Sequence, residues 1–151
     1  MKEWKTADDI LDFAIDNEQG AVDFYRELAE KSANPEVRDL FEEYAKEEEI
    51  HKANLEAVKA GQTLKPVSSK VLDLKLGDYL VAVEPTADMD YQSALVLAMK
   101  REKAAFRLYT ALAAKVEDEQ LRDLFLRLAQ EEAKHKLHFE IEYDEHILTE
   151  N

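Results

Sequence analysis

Residues 34–51, NPEVRDLFEEYAKEEEIH, and residues 118–135, DEQLRDLFLRLAQEEAKH, decide the fold of this chain. Laid over one another at a shift of 84 residues, they bring Asn34 onto Asp118 and Arg38-Asp39-Leu40-Phe41 onto Arg122-Asp123-Leu124-Phe125. They also bring Glu47, Glu48 and His51 onto Glu131, Glu132 and His135. The same shift, without a gap, carries the preceding segment: Ala14 falls on Ala98, Glu18 on Glu102, Ala21 on Ala105, Tyr25 on Tyr109, Leu28 on Leu112 and Ala29 on Ala113. An unbroken register across two segments and the turn between them means one αα-hairpin used twice. Two such copies are related by a pseudo-twofold axis, and the repeated residues are expected to converge on it.

The helical reading comes from start signals and from spacing. Thr6 followed by Ala7, Asp8 and Asp9 marks a helix start, after which Ile10, Phe13, Ala14, Ala21, Tyr25 and Leu28 recur at helical intervals. Asn34-Pro35-Glu36 supplies a cap, a first-turn proline and an acid at the positive helix end, and Gly61 is the next stop. Periodicity resumes near Asp90 through Leu97, Arg101, Leu108 and Leu112, and Asp118 caps a last helix. The pattern predicts helices over about 7–32, 35–60, 90–115 and 119–147 in a single domain spanning 1–151. Between Gln62 and Asp88 it loosens around Pro66, Ser68-Ser69, Gly77 and Pro85, with an apolar stretch from Val71 to Val83. That is the expected long crossover, its apolar residues forming a short helix against the bundle.

Composition agrees with this class and narrows the partners. With 3 Gly, 3 Pro, 46% hydrophobic and 36% charged residues, 151 residues favour long solvated helices over a turn-rich β protein. The fold class expected is all-α, an antiparallel four-helix bundle. A net charge of −14 repels phosphate backbones and anionic lipid, so neither nucleic acid nor membrane is an expected partner. No run of about 18 apolar residues and no basic start before an apolar run is present, which makes a cytoplasmic location the expectation. The chain has no Cys, so any bound metal must use carboxylate and imidazole.

Such ligands are present in duplicate. Residues three apart on a helix share a face, so Glu48 with His51, and Glu132 with His135, each offer an oxygen and a nitrogen to one centre. Glu18 and Glu102 add one carboxylate from each remaining helix. Four Glu and two His are the set expected where two divalent ions are bridged by carboxylates in a bundle core. Four carboxylates in a low-dielectric interior repel one another when ionised, and two dications remove that repulsion. Against this, Glu fills 21 of 151 positions, so a lone Glu-x-x-His would carry little weight. Two at equivalent places in a repeat, each with a Glu on the neighbouring helix, carry much more. Glu47 and Glu131 lie one turn before the histidines, and spacing alone leaves them open as further ligands.

These residues resemble the rubrerythrin branch of the ferritin-like diiron-carboxylate proteins over nearly the whole chain. The resemblance rests on Glu18 with Ala21 and Phe24-Tyr25, on Glu48-Glu49-Ile50-His51, on Glu102 with Ala105 and Tyr109, and on Glu132-Ala133-Lys134-His135. It implies a ferritin-like bundle with two iron ions per chain, Glu18 and Glu102 as terminal ligands, and Glu48 and Glu132 as bridges. Manganese or a mixed Mn/Fe pair suits the same donors. Two departures stand out. Full-length rubrerythrins carry a four-Cys rubredoxin-like domain, which this sequence lacks, so an external donor such as a rubredoxin-like protein is expected. They also carry a further Glu one turn after the third-helix ligand, which takes part in a redox-linked iron shift, where this chain has Ala105.

The activity implied is reductive: a non-haem diiron protein, an oxidoreductase reducing hydrogen peroxide or dioxygen, working as a homodimer. The rival readings are a ferroxidase that handles iron, and a structural or binding bundle in which metal is incidental. Tyr25 and Tyr109, two turns beyond Glu18 and Glu102, are candidates to hydrogen-bond a ligand carboxylate, although buried Tyr at such spacing serves a core equally well. His138 has Asn54 as its counterpart and so breaks the repeat; it and His146 are assigned to the surface or an interface. Arg38-Asp39 and Arg122-Asp123 either tie helices together or lie solvated. Trp4 and the residues around Leu74, Leu76, Tyr79 and Leu80 are candidates to cover the bundle or a dimer face.

Overall fold

The computed structural model describes residues 7–61 and 90–150, the side chains of 146–150 excepted. Thr6, Trp4, the crossover with its apolar run Val71–Val83, and the side chain of His146 lie outside the described residues. Four helices are present: α1 (Ala7–Lys31), α2 (Pro35–Gly61), α3 (Tyr91–Lys115) and α4 (Glu119–Glu150). No strand occurs among the described residues, and no described helix is long and apolar enough to cross a membrane.

Helices α2, α3 and α4 begin where the chain supplies an acceptor for their first free N–H groups. Asn34 Oδ1 accepts from Glu36 N at 2.8 Å and Val37 N at 3.4 Å, and Pro35, which has no N–H to satisfy, takes the first helical position. Asp90 Oδ1 accepts from Ser93 N at 2.8 Å, and Asp118 Oδ1 from Leu121 N at 2.9 Å. At α1 the acids Asp8 and Asp9 in the first turn, and Lys31 in the last, complement the helix dipole. An Asp118→Ala variant is expected to lose about 1 kcal/mol of stability. Urea denaturation reads this as a lower midpoint at unchanged slope, because the folded surface stays the same.

The described helices fall into two compact units, α1 with α2 and α3 with α4. In the first, three polar pairs give the direction: Asp12 with Lys59, Gln19 with Lys52, and Arg26 with Glu49. As the number on α1 rises the number on α2 falls, so the helices are antiparallel. In the second, Tyr91 Oη donates to Glu142 at 2.8 Å and Gln92 Nε2 to the Tyr143 hydroxyl at 3.2 Å, from the start of α3 to the far end of α4.

The turns of the two hairpins share a clamp that explains a repeated residue. Arg38 Nη2 donates to the Ser32 carbonyl at 3.1 Å, and Arg122 Nη2 to the Val116 carbonyl at 3.1 Å. These carbonyls sit at helix C-termini, where no intrahelical N–H remains to meet them and a cation is favoured. The arginines thus bind the end of one helix from the first turn of the next.

The core of each unit follows the 3.6-residue period. On α1, Ile10, Leu11, Ala14, Ala21, Val22, Tyr25, Leu28 and Ala29 are buried, and Leu95, Ala98, Ala105, Leu108, Tyr109 and Leu112 do the same on α3. Within these otherwise apolar faces the interruptions are Glu18 on α1 and Glu102 on α3.

Candidate metal centre

In the first hairpin, antiparallel packing sets Glu18 of α1 level with the turn of α2 that carries Glu48 and His51. Glu18 and Glu48 are 0% exposed and His51 6%. His51 Nδ1 stands 3.6 Å from Glu48 Oε2 and 3.8 Å from Glu18 Oε2. In the second hairpin Glu102, Glu132 and His135 are buried in the same way, and His135 Nδ1 stands 3.5 Å from Glu102 Oε1. Within each hairpin, one donor atom can be taken from each of the three residues so that all lie within 4.8 Å of one another. Six residues are thus brought together as two sets of three, each with two carboxylates and one imidazole.

Burial makes these groups costly, and the protonation of the first set shows how the cost is met. Desolvation pushes the Glu18 carboxyl well above its usual range, and the neighbouring Glu48 pushes it further; His51 works in the opposite direction but does not win. Burial also works against a charged His51, yet hydrogen bonding and charge from Glu18 and Glu48 outweigh it and lift the imidazole to about 10. Both shifts favour the protonated forms of Glu18 and His51 when no metal is bound. Divalent cations would replace those protons.

The donor chemistry fits such an ion. Carboxylate oxygen and imidazole nitrogen bind first-row divalent metals at about 2.0–2.2 Å, which puts two donors on one ion roughly 3–4.4 Å apart. The nitrogen-to-oxygen separations of 3.5–3.8 Å within the hairpins lie inside that window. An apolar replacement would be the economical choice if these six residues served packing alone, since buried ionic groups seldom stabilise a fold.

Of the other singled-out residues, some lie toward the surface and some in the core. Glu47 and Glu131 are part-exposed, and Glu131 Oε1 lies 3.5 Å from Lys134 Nζ, so neither belongs to a buried triad. His138 is exposed. Tyr25 and Tyr109 are fully buried and serve the aromatic core: Tyr25 stacks on Phe41 with centroids 6.2 Å apart, and Tyr109 on Phe125 at 5.9 Å. Phe41 and Phe125 are partners in the repeat, so the stacked pair is duplicated with the hairpin. The first hairpin adds Phe24 and Tyr44 around Tyr25, where the second has Leu108 and Leu128. Ala105 is buried one turn after Glu102, so no carboxylate stands there.

Comparison with known proteins agrees with this chemistry. The rubrerythrin family profile matches residues 9–83 and 93–150, which include all six buried Glu and His residues. No curated protein matches. Among solved structures, a protein from Thermotoga maritima, provisionally assigned as a ferritin-like diiron-carboxylate protein, is similar at 24% identity and a TM-score of 0.71. That match covers 96% of this chain and 99% of the other. A hypothetical protein from Pyrococcus furiosus is similar at 26% identity and a TM-score of 0.62, over 89% of this chain and 85% of the other. The fold is the all-α, ferritin-like four-helix class built from two αα-hairpins. With most of its length matched by that profile, the chain belongs to the rubrerythrin family.

Proposed function

We propose that Glu18, Glu48, His51, Glu102, Glu132 and His135 hold two iron ions and that the protein reduces hydrogen peroxide or dioxygen with electrons from a separate donor. The observation that carries this reading is the duplicated set of two buried carboxylates and one buried imidazole, one set in each hairpin. A pair of ferrous ions supplies two electrons, the number needed with two protons to turn one hydrogen peroxide into two waters.

The protein's part is to hold, neutralise and enclose. Glu18, Glu48 and His51 in the first hairpin, and Glu102, Glu132 and His135 in the second, would hold the ions. The four carboxylates balance the +4 of two dications, while His51 and His135 add donors without charge. His51 would have to give up its proton to bind an ion. The apolar helix faces around both sets keep bulk water away, so that charges within them interact strongly. Lacking Cys, these 151 residues form no thiolate iron centre, and the electrons come from a partner such as a rubredoxin-like protein.

Ala105 favours a second reading, ferrous oxidation in iron handling, because the symmetric six-residue set omits the additional carboxylate of redox-shifting rubrerythrins. Anaerobic titration of ferrous-loaded protein separates the two. Peroxidase function predicts one hydrogen peroxide consumed per two iron ions, much faster than dioxygen reacts, with rapid re-reduction by a rubredoxin-like donor. Glu132→Ala should slow the peroxide step by about 100-fold or more, the scale of losing an essential group in the chemistry. A wild-type protein that ignores peroxide but oxidises and releases successive ferrous ions under air would replace the first reading with the second.

A further inference from the structure

The first and third helices are copies of one element, yet one outward stripe carries opposite charge in the two. On α3, Val96, Lys100, Lys103, Arg107, Thr110 and Ala114 follow at intervals of four and three, which keep them on one side, away from the buried Ala98, Glu102, Ala105, Tyr109 and Leu112. The same stripe of α1 reads Asp12, Asp16, Gln19, Asp23, Arg26 and Glu30. Four acids and one base give α1 a stripe of −3, and three bases without an acid give α3 one of +3. The buried Glu102 is the one acid of α3, so in a chain of net charge −14 this helix shows solvent cations alone.

The partners of the two stripes differ as well. In the first hairpin the stripe is tied to α2: Asp12 pairs with Lys59, Lys52 donates to Gln19 at 2.7 Å, and Arg26 pairs with Glu49. The positions that correspond to Lys59, Lys52 and Glu49 in the second hairpin hold Tyr143, Lys136 and Ala133, none of them an acid. Lys136 pairs with Glu140 of its own helix, and among the described residues no ion pair holds the exposed Lys100, Lys103 or Arg107. Beside these cations Phe106 is 38% exposed, whereas its counterpart Val22 is fully buried. An exposed ring among cations without acids to meet them has the make-up of a protein-binding surface, an apolar anchor with a charged rim.

We infer that this face of α3 docks the electron donor, a small redox protein with an acidic surface, an inference that rests on the reductive reading above. Lys100, Lys103 and Arg107 select an acidic partner because charges across an interface complement one another, and Phe106 supplies the apolar contact. The rest of the chain, rich in acids, repels such a partner and so steers it to α3. Position favours a redox protein over other acidic proteins. The stripe backs onto Glu102: Lys103 follows it in sequence, Phe106 lies one turn on, and a donor seated here is separated from that carboxylate by about a helix diameter, roughly 10–12 Å. A one-electron donor is oxidised at each of two encounters, which together restore the two electrons that one hydrogen peroxide removes.

Nuclear magnetic resonance of the isotope-labelled, metal-free chain titrated with an acidic rubredoxin tests the docking apart from the chemistry, which the titration of ferrous-loaded protein tests by itself. Shift changes are expected along α3 from Lys100 to Thr110, with affinity falling at least about tenfold between about 20 and about 300 mM salt. Lys103→Glu and Arg107→Glu should each weaken binding at least about threefold at low salt. Lys46→Glu, at an exposed position of α2 and with the same change in net charge, should leave binding within about twofold of wild type. Circular dichroism checks that each variant remains helical. In iron-loaded protein the two α3 variants should slow re-reduction by rubredoxin in the same proportion, and Lys46→Glu should not. No binding at low salt, shift changes confined to other helices, or equal weakening by Lys46→Glu would each overturn the proposal. So would duplex DNA or a second copy of the chain taking this face in place of rubredoxin.

Discussion

Saturating ferrous iron under nitrogen is expected to raise the melting temperature by roughly 15–30 °C over the metal-free protein. An ion at a thousandfold excess over its dissociation constant adds about 4 kcal/mol, and a protein of this length gains about 2–4 °C per kcal/mol. Two ions give the range. The size of the gain also depends on pH in a way that the first hairpin defines. Both shifted groups there have folded pKa values above their ordinary ones of 4.5 for Glu18 and 6.5 for His51. A raised folded pKa contributes stability that is complete below the unfolded value and lost as pH rises through the folded one. The metal-free protein should therefore lose stability between pH 6.5 and about 10 through His51, and Glu18 adds a loss that starts lower, above about 4.5. Metal binding displaces the same protons and strengthens over that window. Calorimetry at several pH values, with and without chelator, should show the two melting curves moving apart. A gap that narrows as pH rises would contradict this protonation scheme.

Glu18→Gln should divide stability from metal binding. Gln keeps the size and a hydrogen-bonding end but cannot ionise. In the metal-free protein the change removes a carboxyl that burial and Glu48 both hold against ionisation, so the melting temperature near pH 8 should rise by at least about 2 °C. In the presence of saturating iron the same variant should forfeit about 4 kcal/mol, the contribution of one ion. A position whose native residue weakens the empty fold and strengthens the loaded one is kept for its ligand. If Glu18→Gln instead destabilised the metal-free protein and left the iron-dependent gain unchanged, Glu18 would be a structural hydrogen-bond acceptor and no more.

How much of this could be read from the chain depends on the kind of signal each residue leaves. Asn34, Asp90 and Asp118 announce helix starts because a cap acts within three residues, and its partners are determined by local sequence. The buried Glu and His residues were readable because the hairpin is repeated: one Glu among apolar neighbours is noise, and the same Glu recurring with the same companions is not. Spacing alone could not separate Glu48 from Glu47 or Glu132 from Glu131, since residues three and four before a histidine both approach its face. Burial separates them, and burial depends on which side of α2 and α4 the packed helix covers. The Arg38 and Arg122 clamps were hidden for a related reason. Their acceptors are backbone carbonyls of Ser32 and Val116, which leave no mark in a side-chain pattern. Tyr25 and Tyr109 were placed between site and core; their stacking on Phe41 and Phe125 shows what the rings do in the core and explains why the pairs recur together.

Metal stoichiometry tests the two-ion centre most directly. The wild-type protein, Glu48→Ala and Glu132→Ala are loaded anaerobically with ferrous iron, desalted, and analysed for iron by mass spectrometry alongside protein concentration. Two ions per wild-type chain, falling to one or fewer in each variant while the helical signal is preserved, is the expected result. Less than one ion in the wild type, or two ions retained in both variants, would contradict it and leave the buried carboxylates and imidazoles without a metal to hold.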